Sequence, residues 1–176
     1  MILETVYLIL SGTTTAARAP EILAGLVGLG FGRVIAIPTP NASRTISPRE
    51  LADVPGAQVV ESYFDLAIRP RPPLGVVLFA PCGFNSLNKL AAGIADTLAL
   101  SVAAEAIGRR TPVIVAPSLN QPLLDHPIAL ASMRTLESWG VTVVPMQDDG
   151  HGPRLAATEQ LLAAVAPFSP RSRPGC

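Results

Sequence analysis

Charged residues make up only 15% of the 176-residue chain and aromatics 5%, and there are just two histidines, two cysteines and one tryptophan. The sparse charge is balanced, 13 basic against 13 acidic residues, with no long run of either sign. A nucleic-acid footprint and a polybasic membrane patch are therefore not expected. Every apolar stretch is interrupted by Gly, Pro or a charged residue before it reaches membrane-spanning length, so no membrane partner is expected either. Cys82 and Cys176 cannot make a disulfide framework, and the start Met1-Ile2-Leu3-Glu4 lacks the basic flank of a signal peptide. Both features point to a cytoplasmic location. Asp148 and Asp149 have no histidine-rich partner segment, which argues against a metal site. The three-glycine dinucleotide pattern is missing, as is a Gly-rich loop followed by lysine, which disfavours ordinary nicotinamide and nucleoside triphosphate binding.

What the chain has is apolar material, 49% of its residues. That is more than a monomer of this size places comfortably inside itself, so burial between subunits is expected. Apolar, β-branched runs at Thr5 to Leu10, Arg33 to Ile37, Gly75 to Ala80, Val113 to Ala116 and Val141 to Val144 read as strands, with a further short one at Gln58 to Glu61. Helical spacing covers about Ala16 to Leu29, Ser86 to Leu98, Pro127 to Trp139 and Leu155 to Val165, with a short helix near Ser47 to Ala52 capped by Ser47 and started by Pro48. Met146 to Arg154 reads as a polar, Gly-containing loop. Buried strands alternating with helices imply a doubly wound parallel sheet of the Rossmann-like α/β class, one domain over residues 1–165. The Pro-rich stretch 166–176 reads as a disordered tail. A ligand of such a sheet belongs at the carboxyl ends of the strands, which here carry Ser11 to Thr14, Thr39, Pro81 to Ser86 and Pro117 to Asn120. At the first of these, backbone N–H groups and hydroxyls of Gly12, Thr13, Thr14 and Thr15 meet a helix start, a setting that suits a phosphate as well as a plain helix cap.

The segment Ala80-Pro81-Cys82-Gly83-Phe84-Asn85-Ser86, with its trailing helix through Gly93 and Asp96, resembles the Pro-Ala-Ser-Ala-Asn-Thr motif of the homo-oligomeric flavin-containing cysteine decarboxylases. Pro81 and Asn85 keep the motif's identities, Ser86 replaces its Thr, and Cys82, Gly83 and Phe84 depart from it. Pro117-Ser118-Leu119-Asn120, running on to Leu123-Leu124, is similar to the same family's Pro-X-Met-Asn-X-X-Met-Trp motif, with Leu in place of both Met and Trp. Ser11-Gly12-Thr13, Ala19-Pro20-Glu21 and Ser138-Trp139-Gly140 also resemble family segments, in family order, from about residue 5 to residue 165.

The resemblance implies a flavin, FMN with FAD as the alternative, and a homotrimer or homododecamer. It implies that Gly12, Thr13, Thr14 and Thr39 line the flavin phosphate. Cys82, Gly83, Phe84 and Asn85 would lie along the ring and ribityl chain, with Ser101 nearby. Asn120 would hold the substrate carboxylate, with Asn85 the second residue at the reacting centre. Without the resemblance, Asn85 and Asn120 read more readily as loop residues bonded to their own backbone. The family's catalytic histidine has no counterpart, since Ala67 stands at its place, and its flap cysteine is missing from Met146 to Gly152. His126 reads as part of a helix start and His151 as part of a loop. The expected activity is oxidative decarboxylation of the C-terminal cysteine of a ribosomally made peptide. Phosphopantothenoylcysteine decarboxylation, flavin prenyl transfer and a non-catalytic flavin-fold subunit are the alternatives.

Overall fold

The computed structural model describes residues 3–172. Four of its strands begin where the apolar runs begin, β1 (Thr5–Leu10), β2 (Arg33–Pro38), β4 (Gly75–Cys82) and β5 (Val113–Pro117), and β3 (Ala57–Val59) begins one residue before the strand expected at Gln58 and ends two residues earlier. With β6 (Thr142–Val143) they form one parallel sheet in the order β3-β2-β1-β4-β5-β6. The chain winds outward from β1 to β3, returns to the centre, and winds the other way from β4 to β6. This is the doubly wound order, and its direction reverses between β1 and β4.

Each central strand is buried on both faces, which explains why the sequence shows unbroken apolar runs instead of alternation. Val6, Leu8 and Leu10 face one core, closed by Ile22, Leu23 and Leu26 of α1 (Ala19–Gly28) and by Leu161 and Val165 of α7 (Thr158–Val165). Tyr7 and Ile9 face the other. That second core is closed by Leu87 and Leu90 of α3 (Phe84–Ala91), Leu100 and Ala103 of α4 (Leu98–Gly108), and Leu136 of α6 (Pro127–Ser138). Helix α2 (Pro48–Ala52) starts as expected: the Ser47 hydroxyl accepts from the Glu50 N–H while the Glu50 carboxylate accepts from the Ser47 N–H, a reciprocal capping box.

Three expectations need correction. The helix expected over Ser86 to Leu98 is shorter, α3 ending at Ala91 before Gly93 takes φ +70°, and a helix not expected, α4, follows it from Leu98 to Gly108, capped by the Thr97 hydroxyl, which accepts from the Leu100 N–H. Buried on much of its surface, α4 lacks the amphipathic stripe that betrays a helix. The loop expected at Met146 to Arg154 contains an antiparallel hairpin, β7 (Gln147–Asp148) with β8 (Pro153–Arg154). The tail is ordered at least to residue 172. Residues 166–172 form 3-10 turns, Ser169 is buried, the Leu3 N–H donates to the Phe168 carbonyl at 3.1 Å, and Arg171 donates to the Gly28 carbonyl at 2.7 Å. Apolar Phe168, packed against the core, anchors a stretch that composition alone marks as spacer. The rest of the expected tail, 173–176, lies outside the described residues.

The return from β3 to β4 is tied down from below. Arg33 donates to the Ala67 carbonyl, Arg109 to that of Pro72, and the Tyr7 hydroxyl to that of Pro73. Its tip leaves Tyr63, Phe64 and Leu66 exposed, the last two by 80% and 85%. Among the described residues two acid groups are raised, and both sit in the core: burial pushes the Cys82 thiol up and outweighs Arg33 and Arg109 in pushing up the Tyr7 phenol. A folded-state pKa above the unfolded value gives stability that is complete below the unfolded pKa and is lost as pH rises. Stability should therefore fall above about pH 8.5, the unfolded thiol value, by up to about 1.36 kcal/mol per pH unit, and more steeply above about pH 10 as Tyr7 joins in. Urea titrations across this range should show the first slope flattened in Cys82→Ala; equal slopes in the two proteins would refute the assignment.

Candidate functional site

At the reversal point between β1 and β4 the strand-end loops converge on a cleft of about 360 Å³. Backbone bonds knit its floor: the Ser11 N–H donates to the Pro81 carbonyl, the Thr39 N–H to Leu10, and the Ser118 N–H to Cys82. The Ser11 hydroxyl, almost wholly buried, donates to Ser86 Oγ at 2.9 Å and accepts from the Gly83 N–H at 3.1 Å, joining the β1 loop to the start of α3. Two glycines set the width. A Cβ on Gly12 would lie 2.5 Å from the backbone carbon and oxygen of Asn41, and one on Gly83 would lie 3.0 Å from Thr13 Cγ2. No side chain fits at Gly12 without moving the β2 loop. Helix α3 begins at the cleft with Gly83 as its cap, so its first N–H groups add partial positive charge there.

The cleft gathers Gly12, Thr13, Thr39, Gly83, Phe84 and Asn85 from the residues expected at the site. Four others are not among its lining residues. Thr14 is on the exposed side of its turn. Cys82 is fully buried, because β4 continues through it past a register shift after Phe79 and turns the thiol into the core. Its raised pKa keeps it a neutral thiol, unsuited to nucleophilic work. Ser101 lies within α4 and donates to the Ala95 carbonyl. Asn120 is exposed and caps α5 (Gln121–Leu124), its Oδ1 accepting from the Leu123 N–H at 3.1 Å. Its amide NH2 is not used in that cap.

The lining also includes Ser11, Ser86 and Ser118 from the expected strand-end loops and Leu123 from the second motif, together with Pro40, Asn41, Lys89, Thr97 and Leu100, which the sequence does not point to. The strand-end rule, extended two residues along the β2 loop, reaches Asn41. Thr97 and Leu100 belong to the start of α4, which the sequence does not announce. Lys89 is the one charged residue of the lining, and it is paired with Asp96 at 2.5 Å.

Neither histidine lines the cleft. His126 caps α6, its Nδ1 accepting from the Ile128 N–H, and its ring meets that of Phe84 edge-on at 5.4 Å. His151 sits in the hairpin turn, its N–H donating to Asp149. Ala67, at the place of the missing histidine, lies on the return segment near the opposite end of the sheet, beside Arg33. A larger recess of about 450 Å³ opens there, between Ile107, Trp139 and Phe168, but no strand-end loops converge on it. Among the described residues no helix is long and apolar enough to cross a membrane, and no three metal-ligating side chains cluster.

A parallel sheet wound in this order, with a hydroxyl-rich cleft at the reversal point, defines a Rossmann-like α/β protein. The chain belongs to the Flavoprotein family, which it matches over residues 3–168. It is 25% identical over 179 residues to the coenzyme A biosynthesis bifunctional protein CoaBC of Thermococcus kodakarensis, a match covering 98% of this chain and 44% of that protein. The chain thus spans less than half of that relative. It is 24% identical to the phosphopantothenoylcysteine decarboxylase of Mus musculus, covering 89% of this chain and 78% of the mouse protein. Among solved structures, the FMN-dependent cysteine decarboxylase TvaF from thioviridamide biosynthesis superposes with a TM-score of 0.69 and 25% identity, over 80% of this chain and 88% of TvaF.

Proposed function

We propose that the cleft binds FMN and that the protein is a flavin-dependent decarboxylase acting on the C-terminal cysteine of a ribosomally made peptide. The observation that carries this reading is the cleft itself: a hydroxyl-lined turn closed by Gly12 and Gly83 at the reversal point of the sheet, in a member of the Flavoprotein family. The fit to a flavin is chemical. Gly12, Thr13, Thr39 and the first turn of α3 offer N–H and O–H donors for a phosphate. Phe84 and Asn85 offer an aromatic face and an amide for the ring system. Bound flavin would supply the two-electron oxidation of the cysteine that makes loss of its carboxylate easy.

The chain's own task is to hold the peptide's end. The Asn120 amide NH2, not needed for the α5 cap, donates to the substrate carboxylate, and Leu123 supplies an apolar wall. The charge of the cleft favours a peptide over a phosphorylated substrate. Lys89 is its single cation and is engaged with Asp96, so a second phosphate beside that of FMN finds no free positive partner.

We place the working unit in a homo-oligomer, most simply a trimer, supported by the exposed Tyr63, Phe64 and Leu66 on the β3–β4 return. Light scattering with in-line flavin absorbance on one purified sample tests both points. One FMN per chain on a particle of three chains or a multiple is expected. A colourless monomer that takes up neither FMN nor FAD would refute the reading.

A further inference from the structure

Three hydroxyls form a chain across the cleft. Thr13 Oγ1 and Thr15 Oγ1 are 2.8 Å apart, and Thr15 Oγ1 is 2.8 Å from Ser118 Oγ, so the turn after β1 is wired to the loop after β5. Thr13 and Ser118 line the cleft and Thr15 does not. Thr15 stands behind them, half-buried, its hydroxyl bonded to these two partners. The Ser118 backbone is fixed as well, its N–H donating to the Cys82 carbonyl at 3.0 Å.

Each hydroxyl has one proton to give, so the direction of donation along such a chain is set at one end and carried to the other. An anion on the Gly12–Thr13 turn accepts a hydrogen bond from the Thr13 hydroxyl. Thr13 Oγ1 then accepts from Thr15, and Thr15 from Ser118. The Ser118 proton is thereby committed, and only its lone pairs face the cleft. We propose that Ser118, polarised in this way, is an acceptor for a hydrogen-bond donor on the bound peptide, and that Thr15 is the positioning residue transmitting the polarity. The inference rests on the reading that a flavin phosphate occupies the Thr13 turn. It places an acceptor two residues from the Asn120 donor on the loop after β5, so the peptide's terminal cysteine is held by one group of each kind. The donor is either the cysteine S–H or its amide N–H.

The test uses the FMN-loaded protein and a peptide ending in cysteine. Thr15→Val and Ser118→Ala should each lower kcat/KM about tenfold, the scale of one net hydrogen bond, with FMN still bound at one per chain. Because both break the same chain, the double variant should be no worse than either single one. Thr15→Ser, which restores the hydroxyl, should recover activity to within about twofold. A peptide with its cysteine nitrogen methylated separates the two donors: if the N–H is the donor, Ser118→Ala has no further effect on that peptide, and if the thiol is, the loss is the same on both peptides. Thr15→Val with unchanged kcat/KM, or losses that multiply in the double variant, would overturn the inference. Wild-type protein that fails to bind FMN would instead overturn the proposed function, so the two failures are distinguishable.

Discussion

Gly12→Ala should weaken FMN binding by roughly ten- to hundredfold, the equivalent of about 1–3 kcal/mol of overpacking. The added Cβ would lie 2.5 Å from the carbonyl carbon and oxygen of Asn41 and 2.7 Å from its Cβ. Two of those atoms are backbone and cannot rotate away, so either the β1 turn or the β2 loop must shift, and both form the cleft wall. Fluorescence titration of FMN measures the loss. Gly28→Ala is the matched control: its Cβ meets nothing within 4 Å at the end of α1. That variant should bind FMN as the wild type does and gain up to about 1 kcal/mol of stability from helix propensity. Equal FMN affinity in the Gly12 variant would mean that the flavin does not sit against this turn.

Asn120 carries two separable jobs, and two substitutions divide them. Asn120→Ala removes the cap oxygen that accepts from the Leu123 N–H, costing about 0.5–2 kcal/mol, and also removes the amide donor. Asn120→Asp keeps an oxygen for the cap and puts negative charge at a helix start, where it is tolerated. It also replaces the NH2 donor with an oxygen that repels a carboxylate. The Asp variant should therefore melt close to the wild type yet lose at least about a hundredfold in kcat/KM, since a hydrogen bond to a charged group is worth about 1.5–3 kcal/mol before the repulsion is added. FMN should stay bound in both variants. An Asp variant with near-normal turnover would assign Asn120 to the cap alone.

The parts of the fold that were legible in the sequence share a physical cause. Strands buried on both faces must be continuously apolar, so β1, β2, β4 and β5 stand out, and the Ser47-Pro48-x-Glu50 start of α2 shows its own caps. The loops at the strand ends follow from the winding, which is why Gly12, Thr13, Thr39, Gly83, Phe84 and Asn85 could be named together. The missed features depend on contacts distant in sequence. Helix α4 is hidden because it is buried, and the order of residues 166–172 depends on Leu3, Gly28 and the core around Phe168. The inward turn of Cys82 depends on a register shift between β4 and β5 that leaves no mark on the residues themselves. The Thr15–Ser118 bond joins positions 103 apart. No local pattern announces such a pair, and a run of three threonines reads as a turn until its partner is seen.

The central claim is that this cleft carries out flavin-dependent decarboxylation of a peptide's C-terminal cysteine, and mass spectrometry of the reaction tests it most directly. FMN-loaded protein is incubated with a set of peptides ending in cysteine, with the same peptides ending in serine, and with phosphopantothenoylcysteine. The account predicts that cysteine-ending peptides lose the mass of carbon dioxide and two hydrogens, that serine-ending ones stay intact, and that phosphopantothenoylcysteine is turned over poorly if at all. Efficient decarboxylation of phosphopantothenoylcysteine with every cysteine-ending peptide left intact would contradict it.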